Sequence, residues 1–230
     1  MPVAVITGAS RGLGAALAHA LDVRGWDLVV DARDADALAA AIGNAATHGV
    51  PGDVTDPAHR RELAETAARL GGADLLVNNA STLGASPQPA LADLDHDVLD
   101  DVLFTNVVAP HALTRELLPQ LLEHRGTVLN ISSDAAVEAY EGWGAYGASK
   151  AALDHLTRIL AAELPALRVY AVDPGDMRTR MHQDAFPGED ISDRPEPATV
   201  VPHLLALIGG RMPSGRYRAA EIRVRDEALA

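Results

Sequence analysis

The stretch that decides the fold is Val3-Ala4-Val5-Ile6-Thr7-Gly8-Ala9-Ser10-Arg11-Gly12-Leu13-Gly14, at the amino end of the sequence. Its first four residues are apolar and mostly β-branched, which is typical of a short buried strand. Three glycines follow, and residues 15–23 then show a helical apolar pattern. This order of strand, glycine-rich turn and helix predicts the opening of a dinucleotide-binding unit, in which backbone and helix amino terminus approach a pyrophosphate. An ordinary strand-to-helix turn is the alternative interpretation.

Strand-like and helix-like segments continue to alternate along the chain. Further strands are predicted at residues 28–30, up to 52, 73–77, 127–131, 167–172 and 214–222, and helices at 36–44, 58–70, 98–122, 146–164 and 198–208. Such alternation predicts an α/β fold with a mainly parallel sheet. We therefore expect residues 1–230 to form a single Rossmann domain, a doubly wound parallel sheet of about seven strands with helices on both faces.

The residues after the second predicted strand, Asp31-Ala32-Arg33-Asp34, bear on cofactor choice. In dinucleotide-binding units an acid at this strand end favours NAD, whereas a nearby arginine accommodates the 2′-phosphate of NADP. Spacing places Ala32 at the acid position with Arg33 beside it, and Arg11 in the glycine turn can reach the same place. This predicts NADP(H). A register shift of one residue would instead put Asp31 on the ribose and favour NAD(H).

A second informative stretch runs from Ser132 to Lys150. Ser133 follows the apolar run 127–131, so its hydroxyl is expected at the carboxyl end of a strand, where open α/β sheets bind ligands. Tyr146 and Lys150 are four residues apart at the start of a helical pattern, which puts both side chains on one face. Lys150 is also the only lysine in the sequence. A surface Tyr and a surface Lys on an amphipathic helix remain the alternative.

The chemistry that this pair suits is proton transfer to or from a carbonyl or alcohol oxygen. A tyrosine hydroxyl titrates near about 10, and lowering its pKa by roughly three units takes about 4 kcal/mol. A cation about 4 Å away supplies that amount at an effective dielectric near 20. We therefore expect Lys150 to lower the pKa of Tyr146.

Composition excludes several classes of function. A formal net charge of −13 argues against binding to nucleic acid or anionic membranes. The absence of cysteine excludes disulfides and thiolate sites and fits the cytoplasm. We expect no signal peptide and no membrane span. The nine histidines show no metal-ligand spacing, so no metal is expected.

Taken together, these motifs identify the chain as similar to the short-chain dehydrogenase/reductase superfamily of the Tyr-x-x-x-Lys type. The matching motifs are Thr7-Gly8-x-x-x-Gly12-x-Gly14, Asn78-Asn79-Ala80, the set Asn106, Ser133, Tyr146 and Lys150, and Pro174-Gly175 with Thr179. The resemblance implies that Tyr146 exchanges the proton, Ser133 binds the substrate oxygen, Lys150 biases Tyr146 and binds a ribose, and Asn106 holds a water. It implies cofactor contacts from Thr7, Gly8, Ser10, Arg11, Gly12, Leu13, Gly14, Arg33, Asp53, Val54, Asn79, Ala80, Tyr146, Lys150, Pro174, Gly175 and Thr179.

For Asn106 and for the segment 176–195, the sequence also gives an expectation that does not depend on the resemblance. Asn106 lies inside the helical pattern 98–122, and Pro110 lacks the N–H that would bond its carbonyl, so the helix is expected to open there. Residues 176–195 contain Pro187-Gly188 and several acids, and we expect an irregular, mobile substrate lid.

The resemblance also leaves points open. Ser81 replaces the usual glycine after the paired asparagines, Tyr170 stands where asparagine is common, the third strand is interrupted by glycine and proline, and the usual carboxyl-terminal Asp-Gly-Gly is missing. The last difference bears on the expected homodimer or homotetramer. The loop 140–146 is weakly similar to sepiapterin and benzil reductases. An NADP(H)-dependent reductase or dehydrogenase of a small carbonyl or alcohol is therefore predicted, and the alternatives are a non-catalytic NADP(H)-binding sensor and a 3-oxoacyl-carrier-protein reductase.

Overall fold

A seven-stranded parallel sheet forms the centre of the molecule. The computed structural model describes residues 1–42, 47–210 and 212–224. The strands lie in the order β3-β2-β1-β4-β5-β6-β7. Their bounds are β1 Val3–Ile6, β2 Asp27–Ala32, β3 Thr47–Pro51, β4 Leu75–Asn78, β5 Thr127–Ile131, β6 Arg168–Asp173 and β7 Gly215–Arg218.

Helices cover both faces of this sheet. Their bounds are α1 Gly12–Val23, α2 Ala35–Ala41, α3 Pro57–Arg69, α4 His96–Leu103, α5 Ala109–His124, α6 Gly144–Glu163, α7 Arg180–Ala185 and α8 Val201–Gly209. Apolar residues of α1, α2 and α8 pack on one face, and those of α3, α5 and α6 pack on the other. The predicted doubly wound Rossmann fold is confirmed.

The strands are apolar on both sides because both faces are covered. In β1, Ala4 and Ile6 pack with one helix layer, whereas Val3 and Val5 pack with the other, and all four are almost completely buried. This alternation follows from the two-residue period of a strand. It fixes the register, since a slip of one residue would exchange the two faces.

The strand order places the functional edge. The chain winds outward from β1 to β2 and β3, then returns to β4 on the other side of β1. In open α/β sheets ligands bind in the crevice that such a reversal leaves at the carboxyl ends of the strands. The glycine turn after β1, the asparagines after β4 and Ser133 after β5 all lie at this edge.

Several boundaries differ from the sequence prediction for physical reasons. The predicted helix 98–122 is two helices joined by a π-helical turn at Phe104–Val108, so the expected opening at Asn106 is confirmed. The predicted last strand 214–222 is wrong beyond Arg218, because the N–H of Ile222 donates to the carbonyl of Ala219 and closes a 3-10 turn. The predicted helix 36–44 is described only as Ala35–Ala41, and Asn44 lies outside the described residues.

The segment 176–195 is more ordered than predicted. It contains the short helix α7, whose first turn is capped by Thr179: the Thr179 hydroxyl accepts from the N–H of His182 at 3.1 Å. The description as an irregular segment is therefore wrong for residues 180–185. Across the part of the chain that the structure describes, no helix has both the length and the apolar composition needed to cross a bilayer.

Candidate active site and cofactor cleft

A cleft of about 1180 Å³ follows the carboxyl edge of the sheet. Most of the predicted cofactor and catalytic residues form its wall: Gly8, Ser10, Arg11, Gly12, Leu13, Arg33, Asp53, Val54, Asn79, Ala80, Ser133, Tyr146, Lys150, Pro174, Gly175 and Thr179. Three predicted residues, Thr7, Gly14 and Asn106, are not on this wall. Their contacts show that these three residues support other residues that do form the wall.

The glycine turn is tight enough to require glycine at three positions, one of which is Gly12 with a φ of +59°. Gly8 has a φ of +67°, in the region that side chains rarely adopt. A Cβ on Gly14 would lie 2.5 Å from the carbonyl oxygen of Gly8 and 2.6 Å from Asn79 Nδ2. Helix α1 therefore begins in direct contact with the turn. Its N-cap residue, Arg11, makes no side-chain capping bond, so the amino terminus is available to an anion.

Two neighbouring strand ends hold the turn in place. Asn79 Nδ2 donates to the carbonyls of Thr7 at 2.8 Å and Gly8 at 3.0 Å. The Thr7 hydroxyl accepts from the backbone N–H groups of Asn79 and Ala80, at 3.0 Å each. Thr7 thus contributes as a support rather than as a contact on the cleft wall. Asn79 therefore fixes the glycine turn through side-chain bonds to its backbone, whereas Asn78 Nδ2 donates to Asn130 Oδ1 in the core at 2.7 Å.

Asp31 is also part of this support. It lies inside β2 and is 1% exposed; its Oδ1 accepts from the N–H of Gly8 at 2.7 Å and its Oδ2 lies 3.0 Å from His59 Nε2. Burial raises the pKa of Asp31, against the hydrogen bonds from His59 and Gly8, which lower it. Both oxygens are therefore engaged within the protein. This geometry opposes the alternative in which Asp31 holds ribose hydroxyls.

The far end of the cleft carries two arginines, Arg11 and Arg33, beside the carboxylates of Asp34 and Asp53. Arg11 lies 3.8 Å from the carboxylate of Asp34, and both side chains are more than half exposed. Arg33 follows β2 at the cleft wall and contributes to lowering the pKa of Asp53. Burial opposes that shift, and the bonds that Asp53 accepts from the Thr55 N–H and hydroxyl also favour its ionised form. Two exposed guanidinium groups beside the glycine turn suit a phosphate monoester.

The opposite end of the cleft brings together Ser133, Tyr146 and Lys150. Burial raises the pKa of the Tyr146 hydroxyl, and the Ser133 side chain lies close enough to it to oppose that change. The Ser133 hydroxyl also lies 3.0 Å from Asp134 Oδ1 and accepts from the N–H of Ala135 at 3.2 Å. Tyr146 is 7% exposed, at the cleft wall. The two hydroxyls that the sequence placed 13 residues apart therefore meet at one point.

Lys150 lies over the ring of Tyr146. Its Nζ is 5.4 Å from the ring centroid and donates to the carbonyl of Ile131 at 2.8 Å. Burial lowers the pKa of Lys150 to about 8, although the carboxylate of Asp154 opposes the change. The ammonium is thus fixed by the end of β5 and is mostly protonated at neutral pH.

Burial raises the pKa of Tyr146, whereas the Ser133 side chain lowers it; Asp134 and Asp173 raise it further. The expectation that Lys150 makes this phenol acidic is therefore wrong for this arrangement. The reason is that removing the phenolate from water outweighs the nearby hydroxyl. In this geometry Tyr146 is a protonated hydroxyl, which is a proton donor.

Asn106 acts through its neighbours. Its Oδ1 accepts from the N–H of Thr82 at 2.9 Å and the hydroxyl of Ser81 at 3.1 Å. Its Nδ2 donates to the carbonyl of Thr82 at 2.9 Å and the hydroxyl of Ser149 at 3.0 Å. The side chain links the loop after β4 to α6, beside Lys150. Ser81, which departs from the usual glycine, takes part in this link.

Apolar side chains surround the approach to Tyr146. Four of them pack around Tyr146 and Ala135 and also line the cleft: Leu83, Trp143, Met181 and Ala185. The Trp143 ring lies 5.6 Å from the ring of Tyr146 and 5.8 Å from that of Phe186. The predicted lid thus supplies part of one wall.

The arrangement fits a nicotinamide dinucleotide. The glycine turn and bare helix terminus suit the pyrophosphate, and the arginines lie at one end of the cleft while Tyr146 and Lys150 lie at the other. No cluster of three or more His, Asp or Glu side chains within residues 1–42, 47–210 and 212–224 is arranged to hold a metal ion.

The family model for short chain dehydrogenases matches residues 2–190. The chain belongs to that family.

Individual dehydrogenases and reductases show the same relationship. An uncharacterised oxidoreductase of Mycobacterium tuberculosis is 38% identical over 206 residues, which cover 86% of this chain and 77% of the relative. Sepiapterin reductase of Xenopus tropicalis is 33% identical over 196 residues, covering 77% and 75%. The solved structure of a short chain dehydrogenase from Escherichia coli CFT073, complexed with NADPH, has a TM-score of 0.86 and 30% identity, covering 95% of this chain and 96% of that one.

Sequence reasoning missed some of the residues at this short-chain dehydrogenase site. Asp154, one turn after Lys150, accepts from the Ser132 hydroxyl at 2.6 Å. Arg216 in β7 donates to Asp154 Oδ2 at 2.8 Å and to the carbonyl of Ser133 at 2.9 Å. The four-residue spacing after Lys150 was a usable signal for Asp154. Nothing local to Arg216 indicated its position.

Proposed function

We propose that the chain is an NADP(H)-dependent oxidoreductase that transfers a hydride between the nicotinamide and a carbonyl or alcohol substrate, with Tyr146 as the general acid or base. One observation carries this proposal. A protonated phenol, a serine hydroxyl and an ammonium converge at one end of a cleft whose other end has a glycine turn and two arginines. Membership of the short chain dehydrogenase family supports the same activity class.

NADPH, when bound, would supply the hydride. The substrate oxygen would lie where the Tyr146 and Ser133 hydroxyls meet. Ser133 would donate a hydrogen bond to that oxygen, and Tyr146 would transfer its proton as negative charge develops there. Because burial keeps Tyr146 protonated, Tyr146 is in the form that donates a proton when a carbonyl is reduced.

Lys150 would bind the nicotinamide ribose and favour the phenolate that forms when Tyr146 gives up its proton. A water bound beside Asn106 would return a proton to Tyr146. Since the side-chain amide of Asn106 is already bonded to Thr82, Ser81 and Ser149, the water would be held by the backbone at the π-helical turn.

The cofactor is NADP(H) in this proposal. Arg11 and Arg33 would contact the 2′-phosphate, and each charge-assisted bond is worth roughly 1.5–3 kcal/mol. Asp31 supports this choice, because its two oxygens are used by Gly8 and His59.

The substrate would be a neutral ketone or aldehyde with an apolar or aromatic side, held by Trp143, Leu83 and Met181. For a 3-oxoacyl-carrier-protein reductase, a basic surface near the site would be needed. Instead, Arg178 pairs with Glu196, Arg180 with Asp184 and Arg194 with Asp176 and Asp193. These pairs count against a phosphopantetheine carrier.

A Tyr146→Phe variant tests the proposal. Removing the hydroxyl removes the proton donor, so we expect NADPH-dependent reduction of a confirmed carbonyl substrate to fall roughly 10²–10⁴-fold. A broad panel of aldehydes, ketones and 1,2-diketones, followed by NADPH absorbance, would identify that substrate. NADPH binding without turnover across the panel would favour the sensor.

Tyr140→Phe is the matched control. Tyr140 lies six residues earlier, is 46% exposed and bonds Asp134 at 2.8 Å. We expect it to retain most of the activity. A Tyr146→Phe enzyme as active as this control would refute the assignment of Tyr146.

A further inference from the structure

The backbone that carries Ser133 is held at three successive residues. Lys150 Nζ donates to the carbonyl of Ile131 at 2.8 Å, and the Ser132 hydroxyl donates to Asp154 at 2.6 Å. Arg216 donates to the carbonyl of Ser133 at 2.9 Å. The position of the Ser133 hydroxyl relative to Tyr146 therefore depends on side chains from α6 and β7.

Two of these side chains form a buried ion pair behind the site. Arg216 Nε lies 2.8 Å from Asp154 Oδ2, while Asp154 Oδ1 is taken by Ser132. The side chains are 22% and 6% exposed, respectively. Because each Asp154 oxygen has a different donor, the carboxylate has one orientation. Breaking such a pair leaves a buried charge without a partner.

Asp154 also acts on Lys150 directly. The two residues are one turn apart on the same face of α6. The Asp154 carboxylate favours the protonated form of the buried ammonium and opposes the lowering of its pKa by burial. The charged and titratable groups around this point come from four elements: Tyr146 and Asp154 on α6, Asp134 after β5, Asp173 in β6, and Arg216 with Arg218 on β7.

Arg216 extends the same support to the next strand end. Its guanidinium lies 3.6 Å from Asp173 Oδ2, and Asp173 Oδ1 accepts from the N–H of Gly175 at 3.0 Å. The turn that carries Pro174 and Gly175 on the cleft wall is thus connected to the Ser133 segment. A lysine could not replace Arg216 here, because a single ammonium group lacks the planar set of N–H donors that a guanidinium presents.

We propose that Asp154 and Arg216 are positioning residues for the reaction: Asp154 acts on Lys150, one turn before it on α6, and together with Arg216 it aligns Ser133 with Tyr146. This rests on the proposed function, since it assigns roles relative to that chemistry. If the pair has a purely structural role and only attaches β7 to the sheet, the measurements below should give different results.

The first measurement needs no substrate. Because Lys150 is the only lysine in the sequence, protein grown with ¹³Cε-labelled lysine gives one lysine Cε signal whose pH titration reports its pKa. We expect a midpoint near the value of about 8 in the unchanged protein. Asp154→Asn keeps an acceptor for Ser132 but removes the charge, so its midpoint should be lower by about one unit. Arg216→Gln removes a positive charge and should not lower the midpoint.

The second measurement is steady-state kinetics with NADPH and a confirmed carbonyl substrate. We expect kcat to fall on the order of tenfold or more in Asp154→Asn and Arg216→Gln, with a smaller change in the KM for NADPH. In Asp154→Asn the high-pH loss of activity should begin at lower pH. Arg216→Lys should recover only part of kcat. Arg158→Gln is the matched control and should behave as wild type, because Arg158 is an exposed arginine on the helix that carries Asp154 and contacts His155.

Unchanged lysine titration in Asp154→Asn, or a kcat in both variants equal to that of Arg158→Gln, would overturn the positioning role. A lower melting temperature with unchanged kcat and pH profile, measured well below melting, would show that the pair is structural. If the lysine titration shifts as expected but the unchanged protein reduces no carbonyl, the proposed function fails while the electrostatic part of this inference stands.

Discussion

At the scale of single residues, the site is defined by how burial changes two titratable groups. Tyr146 is held in the protonated form by desolvation, and Lys150 has a pKa of about 8 for the same reason. Sequence spacing predicted that the two groups lie together but misjudged the outcome, because the loss of water around each depends on the whole fold. The chemistry that this arrangement favours is donation of a proton from Tyr146.

The pH dependence of catalysis follows from Lys150. Its ammonium is charged below a pH of about 8 and loses its proton as the pH rises through that value. We therefore expect kcat/KM for carbonyl reduction to be highest below pH 8 and to fall above it. A stopped-flow or steady-state profile from pH 6 to 10 at constant ionic strength checks this. Activity that rises steadily through this range would contradict the role of the charged lysine.

At the scale of elements, the turns after β1 and β2 form the part of the cleft that we propose binds the pyrophosphate and the 2′-phosphate of the cofactor. Local sequence predicted these turns well, because glycines at fixed spacing and an apolar strand are short-range signals. It could not resolve Asp31, whose role depends on His59, 28 residues away, and on Gly8. It also missed Arg216, which contacts residues 62 and 83 positions distant.

Cofactor preference is expected to depend on the turn after β2. Replacing Arg33 with Ala removes a charge-assisted contact to the 2′-phosphate, which should weaken NADPH about tenfold or more and leave NADH nearly unchanged. Dissociation constants from fluorescence titration of both cofactors check this. Arg158→Ala, an exposed arginine on α6 that contacts His155, is the control. Equal losses for both cofactors would show that Arg33 does not read the phosphate.

At the scale of the whole molecule, the sheet order brings six separate strand ends, those of β1 to β6, to one cleft. The alternation of strands and helices was sufficient to predict the doubly wound fold, because each buried strand needs helices on both faces. The same pattern could not predict the walls near Tyr146. Trp143 and Phe186 lie 43 residues apart in loops or at element ends, and only the folded chain places their rings 5.8 Å from each other.

Cofactor binding should stabilise the folded chain as a unit. A ligand at one hundred times its Kd contributes about 2.7 kcal/mol. For a domain of this size that corresponds to a rise in Tm of roughly 5–10 °C. Differential scanning fluorimetry with NADPH, and with NADH at the same concentration, checks this, and NADH should give the smaller rise. The absence of any rise with NADPH would contradict the assignment of the cleft.

Transfer of deuterium from [4-²H]NADPH to a carbonyl substrate tests the central claim most directly. With both C4 positions labelled, the account expects mass spectrometry to find one deuterium on the carbinol carbon of the alcohol product, with the hydroxyl proton drawn from water. An alcohol product without deuterium at that carbon, formed while NADPH is consumed, would contradict it.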